Sequence, residues 1–184
     1  MEFPLRDVIS IVAARMETAG IEDHYSLAWN LDSLLQEAGR YQEALQLLDK
    51  TTELYQDNVR PLISKASLNL YWLDDAEEAL KCIDRALERA YRTGFFRRES
   101  LGVKARILLQ LGRGEQLTPI LEEIMSLKMI NGVPDIGRER DFVDRAAPGL
   151  LPQDVVDRYN QFRPKRAGDT QSDEPPEYEP PERE

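Results

Sequence analysis

The sequence predicts an all-α chain of stacked helical hairpins, and three observations carry that prediction. Apolar residues recur with helical spacing through most of the chain: Ala76, Ala79, Leu80, Ile83, Ala86, Leu87, Ala90 and Tyr91 form one stripe on a four-turn helix. Short turns recur at Gly39, Asp74 and Gly112, separated by 35 and 38 residues, a near-constant interval that belongs to repeated helix pairs. No segment alternates apolar and polar residues between turn signals, so no sheet is expected.

The elements follow in order. Residues 5–19 read as a helix, with Pro4 at its start, Leu5, Val8, Ile9, Val12 and Met16 on one side, and Gly20 as its stop. Three hairpins follow, at about 25–57, 60–92 and 98–129. Their first helices run roughly 24–38, 60–73 and 98–111. Their second helices carry Tyr41, Ala44, Leu45 and Leu48, then the stripe from Ala76, then Leu117, Ile120, Leu121, Ile124 and Met125. Gly39 and Gly112 suit helix C-termini because glycine enters the left-handed region without a Cβ clash. Asp74 and Asp75 suit a helix start, where a carboxylate accepts from free N–H groups. Pro119 is expected to delay the start of the last of these helices. The run Asn131-Gly132-Val133-Pro134 breaks helix. Short helices are expected at about 138–146 and 152–162, the latter turning Val155, Val156, Tyr159 and Phe162 inward. Residues 1–20 and 131–164 thus read as caps on a repeat body at 21–130, since a stack leaves an apolar face open at each end. Residues 165–184 are rich in Pro, Glu, Asp, Ser and Gly and nearly devoid of apolar residues. They are expected to be a disordered acidic tail.

The residues between 25 and 129 resemble three tetratricopeptide repeats. The first matches that pattern at Leu31, Leu35, Gly39, Tyr41, Ala44 and Leu48, the second at Ile63, Ser67, Leu70, Ala79, Ile83 and Ala86, and the third at Leu101, Ala105, Leu108, Gly112 and Leu121. Asp32 stands where the pattern has a small residue, Leu117 replaces an Ala, and no repeat ends in Pro. The resemblance implies a right-handed α-α superhelix whose first helices line a concave groove. Carried over position by position, it puts Trp29, Ser33, Gln36, Ser64, Leu68, Tyr71, Trp72 and Arg106 on that groove, with Trp29, Tyr71 and Trp72 converging. Aromatics and Arg are the residues enriched where binding energy concentrates. The carboxylate-clamp subtype, which reads chaperone C-termini, is not matched: its positions here hold Trp29, Ser33, Lys65, Glu99 and Val103.

Composition narrows the function classes. The net charge is −10, and residues 167–184 hold seven acids against Arg183 alone. The remaining body is weakly acidic, which argues against nucleic acid as a partner. No stretch of roughly 20 apolar residues offers a membrane span. The N-terminal residues lack the basic start of a secretory signal, and the single cysteine, Cys82, allows no internal disulfide, so a cytoplasmic location is expected. One histidine, His24, rules out a multi-histidine metal centre. His24 reads as a surface residue near a helix start, and Cys82 as a small apolar residue rather than a nucleophile. No phosphate-binding glycine motif is present, so no cofactor and no enzyme activity are expected. A basic cluster, Arg89, Arg92, Arg97 and Arg98 around Phe95 and Phe96, reads either as a solvated face or as a site for acidic protein, including the chain's own tail. The expected function is non-catalytic binding of a protein or peptide. The alternatives are a dedicated bacterial secretion-type chaperone, by similarity of size and architecture, and an enzyme with an unrecognised site. Monomer and homodimer both remain open.

Overall fold

In a computed structural model of the protein, the described residues are 4–127, 129–130, 133–134 and 140–161. Seven helices fill the body: α1 Leu5–Thr18, α2 Ile21–Glu37, α3 Tyr41–Leu54, α4 Arg60–Tyr71, α5 Ala76–Thr93, α6 Arg97–Gln110 and α7 Gly114–Ser126. Two short helices follow, α8 Arg140–Arg145 and α9 Gln153–Gln161. Each of α1 to α6 packs against the next, and α4 also packs directly on α6. Among the described residues no helix is long and apolar enough to cross a membrane.

The best-formed helix shows how sequence dictates structure here. In α5 the predicted stripe is buried at Ala76, Ala79, Ile83, Ala86, Leu87 and Ala90. The Asp75 carboxylate caps its start by accepting from the Glu78 backbone N–H at 2.9 Å. Gly94, at φ 78, ends it in the left-handed conformation. Two turns between paired helices use glycine in the same way, Gly39 at φ 69 and Gly112 at φ 67. Between α4 and α5 that conformation falls to Asp74, at φ 52, so Asp74 occupies the turn and only Asp75 acts as the cap.

Two expectations are corrected. Pro119 does not delay α7, which begins at Gly114. The proline sits in its second turn, where the missing N–H leaves one carbonyl without its helical donor and the helix continues. A sheet was not expected, yet Met129–Ile130 and Val133–Pro134 pair as an antiparallel ladder of two residues per strand. It is too short to form a layer, and the chain remains all-helical in its packing.

The core is three clusters in chain order. The first joins Ile9 of α1 to Ala28, Leu31, Leu35, Ala44, Leu48 and Leu68. The second joins α4, α5 and α6 through Leu62, Ala66, Ala79, Ile83 and Ile107. The third joins α6 and α7 to Val143, Leu151, Val155 and Tyr159, and the Tyr159 hydroxyl donates to the Leu121 carbonyl at 3.2 Å. Both ends of the body are thereby covered, by α1 and by α8 and α9. Phe162 and the acidic tail lie outside the described residues.

Candidate binding surface

The helices α2, α4 and α6 end alike, but α4 carries one more residue. The N–H of Arg40 donates to Leu35 and that of Arg113 to Leu108, each five residues back; the N–H of Asp75 reaches Asn69, six residues back. The extra residue shifts α4 by one relative to a count made from the turns. Leu35, Asn69 and Leu108 are therefore equivalent, and so are Asp32, Ala66 and Ala105. At that place in α4 the buried residue is Ala66, not Ser67.

This shift corrects two of the expected groove residues. Leu68 is fully buried in the first core cluster and cannot line a groove. Trp72 does not converge with Trp29: its ring stacks on Tyr41 of α3, centroids 5.3 Å apart and planes 21° from parallel. Trp29 lies instead against Arg60, the first residue of α4. Arg60 and Trp72 stand at opposite ends of α4, about 18 Å apart at 1.5 Å per residue.

Two exposed aromatic–guanidinium pairs remain on the first helices. The Arg60 guanidinium is 5.0 Å from the ring centroid of Trp29 and 5.0 Å from that of Phe96. Arg106 donates from Nη1 to the Tyr71 hydroxyl at 3.1 Å. Trp29 is 37% exposed and Tyr71 53%. Ser33 is exposed, its hydroxyl donating to the Trp29 carbonyl at 3.3 Å.

Gln36 and Ser64 face the neighbouring helix rather than a partner. The Ser64 hydroxyl donates to Asp32 Oδ2 at 2.6 Å, and Gln36 Nε2 donates to Asp32 Oδ1 at 2.9 Å. Asp32 is almost fully buried, and burial raises its carboxyl above the usual range while the two hydrogen bonds pull it back.

The expected basic cluster divides. Arg97 turns toward α7, where it pairs with Glu123 at 2.6 Å and lies over the Tyr91 ring. Arg92 and Arg89 turn the other way, to Asp57 at 2.9 Å and to the Asn58 carbonyl at 3.1 Å. Arg98 also has a partner in the structure. These side chains do not form one open basic face.

The two residues weighed for chemistry are engaged in packing. Cys82 is buried, and burial pushes its thiol up to about 11. His24 Nδ1 lies 3.1 Å from the Tyr55 hydroxyl, which itself donates to the Ile21 carbonyl at 3.0 Å. The single Tyr55 proton is thus in use, so Nδ1 of His24 is the donor. Sequence reasoning missed Arg60, and placed Phe96 with the basic cluster rather than with Trp29. Counting α4 one residue back would have put Arg60 among the expected groove residues. No protein-family profile, no curated protein and no solved structure matches this chain.

Proposed function

We propose that this chain is a non-catalytic protein–protein interaction module. In this reading three tetratricopeptide-like hairpins, α2–α3, α4–α5 and α6–α7, build a right-handed stack, and a partner segment runs across α2, α4 and α6. The observation that carries it is the pair of exposed aromatic–guanidinium contacts on successive first helices, Trp29 with Arg60 and Tyr71 with Arg106. Rings held by a neighbouring cation lose little freedom on binding, which makes them economical anchors. Two such anchors about 16 Å apart along α4 suit an extended segment of about five residues.

The test is affinity capture from native lysate with the full chain and with a Trp29→Ala/Tyr71→Ala variant of unchanged helicity. The expected outcome is a protein held by the first and lost by the second. Equal capture by both removes these anchors from the binding surface.

A further inference from the structure

The α3–α4 and α5–α6 loops meet at one edge of the stack and enclose a cleft of about 570 Å³. Leu54, Tyr55, Val59, Phe95 and Phe96 supply its apolar walls. Leu54 is 64% exposed and Phe95 70%. One exposed leucine is ordinary, but two large apolar side chains on one cleft leave a surface suited to a ring.

The charge around this cleft has a definite sign. Arg60 lies against Phe96, Arg89 donates to the Asn58 carbonyl, and Arg92 pairs with Asp57. Three guanidiniums thus touch lining residues, against one lining carboxylate, Asp57. The Arg60 guanidinium makes no hydrogen bond or ion pair among the described residues, and its stacking against two rings leaves the planar N–H fork available to a carboxylate. On a chain of net charge −10, this is a local positive surplus.

A segment of matching chemistry lies in the chain itself. Within residues 165–184 the only aromatic is Tyr178, flanked by Glu177 and Glu179 and then by Pro175-Pro176 and Pro180-Pro181. Proline pairs favour an extended backbone, so less entropy is lost on seating it. Tyr178 follows Gln161, the end of α9, by seventeen residues. At about 3.1 Å per residue that is a reach of roughly 50 Å. The third core cluster joins α9 to α6 and α7, and the loop before α6 bounds the cleft, so with neighbouring helices about 8–10 Å apart the distance is easily covered.

We infer that the segment Glu177-Tyr178-Glu179 docks in this cleft, with the Tyr178 ring against Leu54 and Phe95 and a flanking carboxylate on Arg60. Tethering supplies an effective concentration of order millimolar, so a weak contact suffices to populate the docked state. The inference holds whatever the faces of α2, α4 and α6 bind. Because Arg60 also lies against Trp29, a partner segment arriving there would compete with the tail.

The test uses the full chain with a photo-crosslinking phenylalanine analogue in place of Tyr178 and maps the products by mass spectrometry. The expected result is an intramolecular crosslink to Leu54, Phe95 or their immediate neighbours. Its yield should fall roughly fivefold in Arg60→Gln, the size of one well-formed exposed ion pair, and fall again in high salt. The exposed Phe95→Ala, which leaves the core intact, should lower it in the same way. Crosslinks scattered over the surface, crosslinks only to a second molecule, or a yield unchanged in both variants would overturn the inference.

Discussion

The seam between α2 and α4 and the seam between α4 and α6 occupy equivalent places in the stack but are built from opposite chemistry. At the first, Asp32 is buried and held by Ser64 and Gln36. At the second, the position equivalent to Asp32 is Ala66 and the one equivalent to Ser64 is Val103; Ala66 is fully buried in the second core cluster with Ile107, and Val103 packs against that cluster. An apolar seam asks nothing of hydrogen bonding. A buried carboxylate demands two donors in place and costs stability even when it has them. The difference suggests that the apolar seam holds the body together and the polar seam fixes how α2 sits on it.

Moving the carboxylate to the other seam is the harshest way to break the comparison. Ala66→Asp, at the position equivalent to Asp32, places a charge in the cluster of Leu62, Leu70, Ile83 and Ile107 with no donor built for it, and is expected to cost about 3–5 kcal/mol, read as a lowered urea midpoint or outright loss of helicity. Ser64→Ala removes the shorter of the two bonds to Asp32 and is expected to cost about 1–3 kcal/mol by the same titration.

Asp32→Asn should move stability the other way, by about 1 kcal/mol at pH 7, because it keeps the shape and drops the buried charge: the amide oxygen still accepts from Gln36, and the amide N–H donates to Ser64 once that hydroxyl turns to accept. Its pH dependence fixes the sign. Burial raises the Asp32 carboxyl above its unfolded value, so the ionised form is disfavoured in the folded state. The cost is absent at pH values below the unfolded pKa, grows as pH rises above it, and is complete above the folded pKa. The stability gap between Asp32→Asn and the native chain should therefore close on acidification. A gap that stays constant from pH 7 to pH 3 would show that charge is not its origin. The smallest effect belongs to the longer turn at the end of α4. Asp74→Gly relieves a non-glycine residue at φ 52 and should raise stability by about 0.5–1 kcal/mol, read as a higher midpoint in a thermal melt.

Much of this architecture was legible in the sequence, because helix periodicity and turn residues are local signals. The stripe from Ala76 to Ala90 and the glycines at 39 and 112 give helix ends to within a few residues. The surface was less legible. Its geometry depends on which residue of a helix faces its neighbour, and one extra residue before Asp75 rotates α4 by about 100° relative to a count from the turns. That is why Leu68 was placed on a face where the chain buries it, and why Arg60 went unnoticed. The two-strand ladder had a local signal in Asn131-Gly132, a pair that favours tight hairpin turns. Whether Asp32 belonged to a groove or a seam depended on Ser64, 32 residues away.

Cys82 gives the molecule a built-in reporter. It is the sole cysteine, it lies in the cluster shared by α4, α5 and α6, and burial keeps its thiol protonated at neutral pH. An alkylating reagent can reach that sulfur only when those three helices part. The alkylation rate, compared with that of the unfolded chain, therefore measures how often the middle of the stack opens, without any introduced label. If the stack frays from its ends, the sulfur should stay silent through the first losses of helicity and react only as the centre gives way.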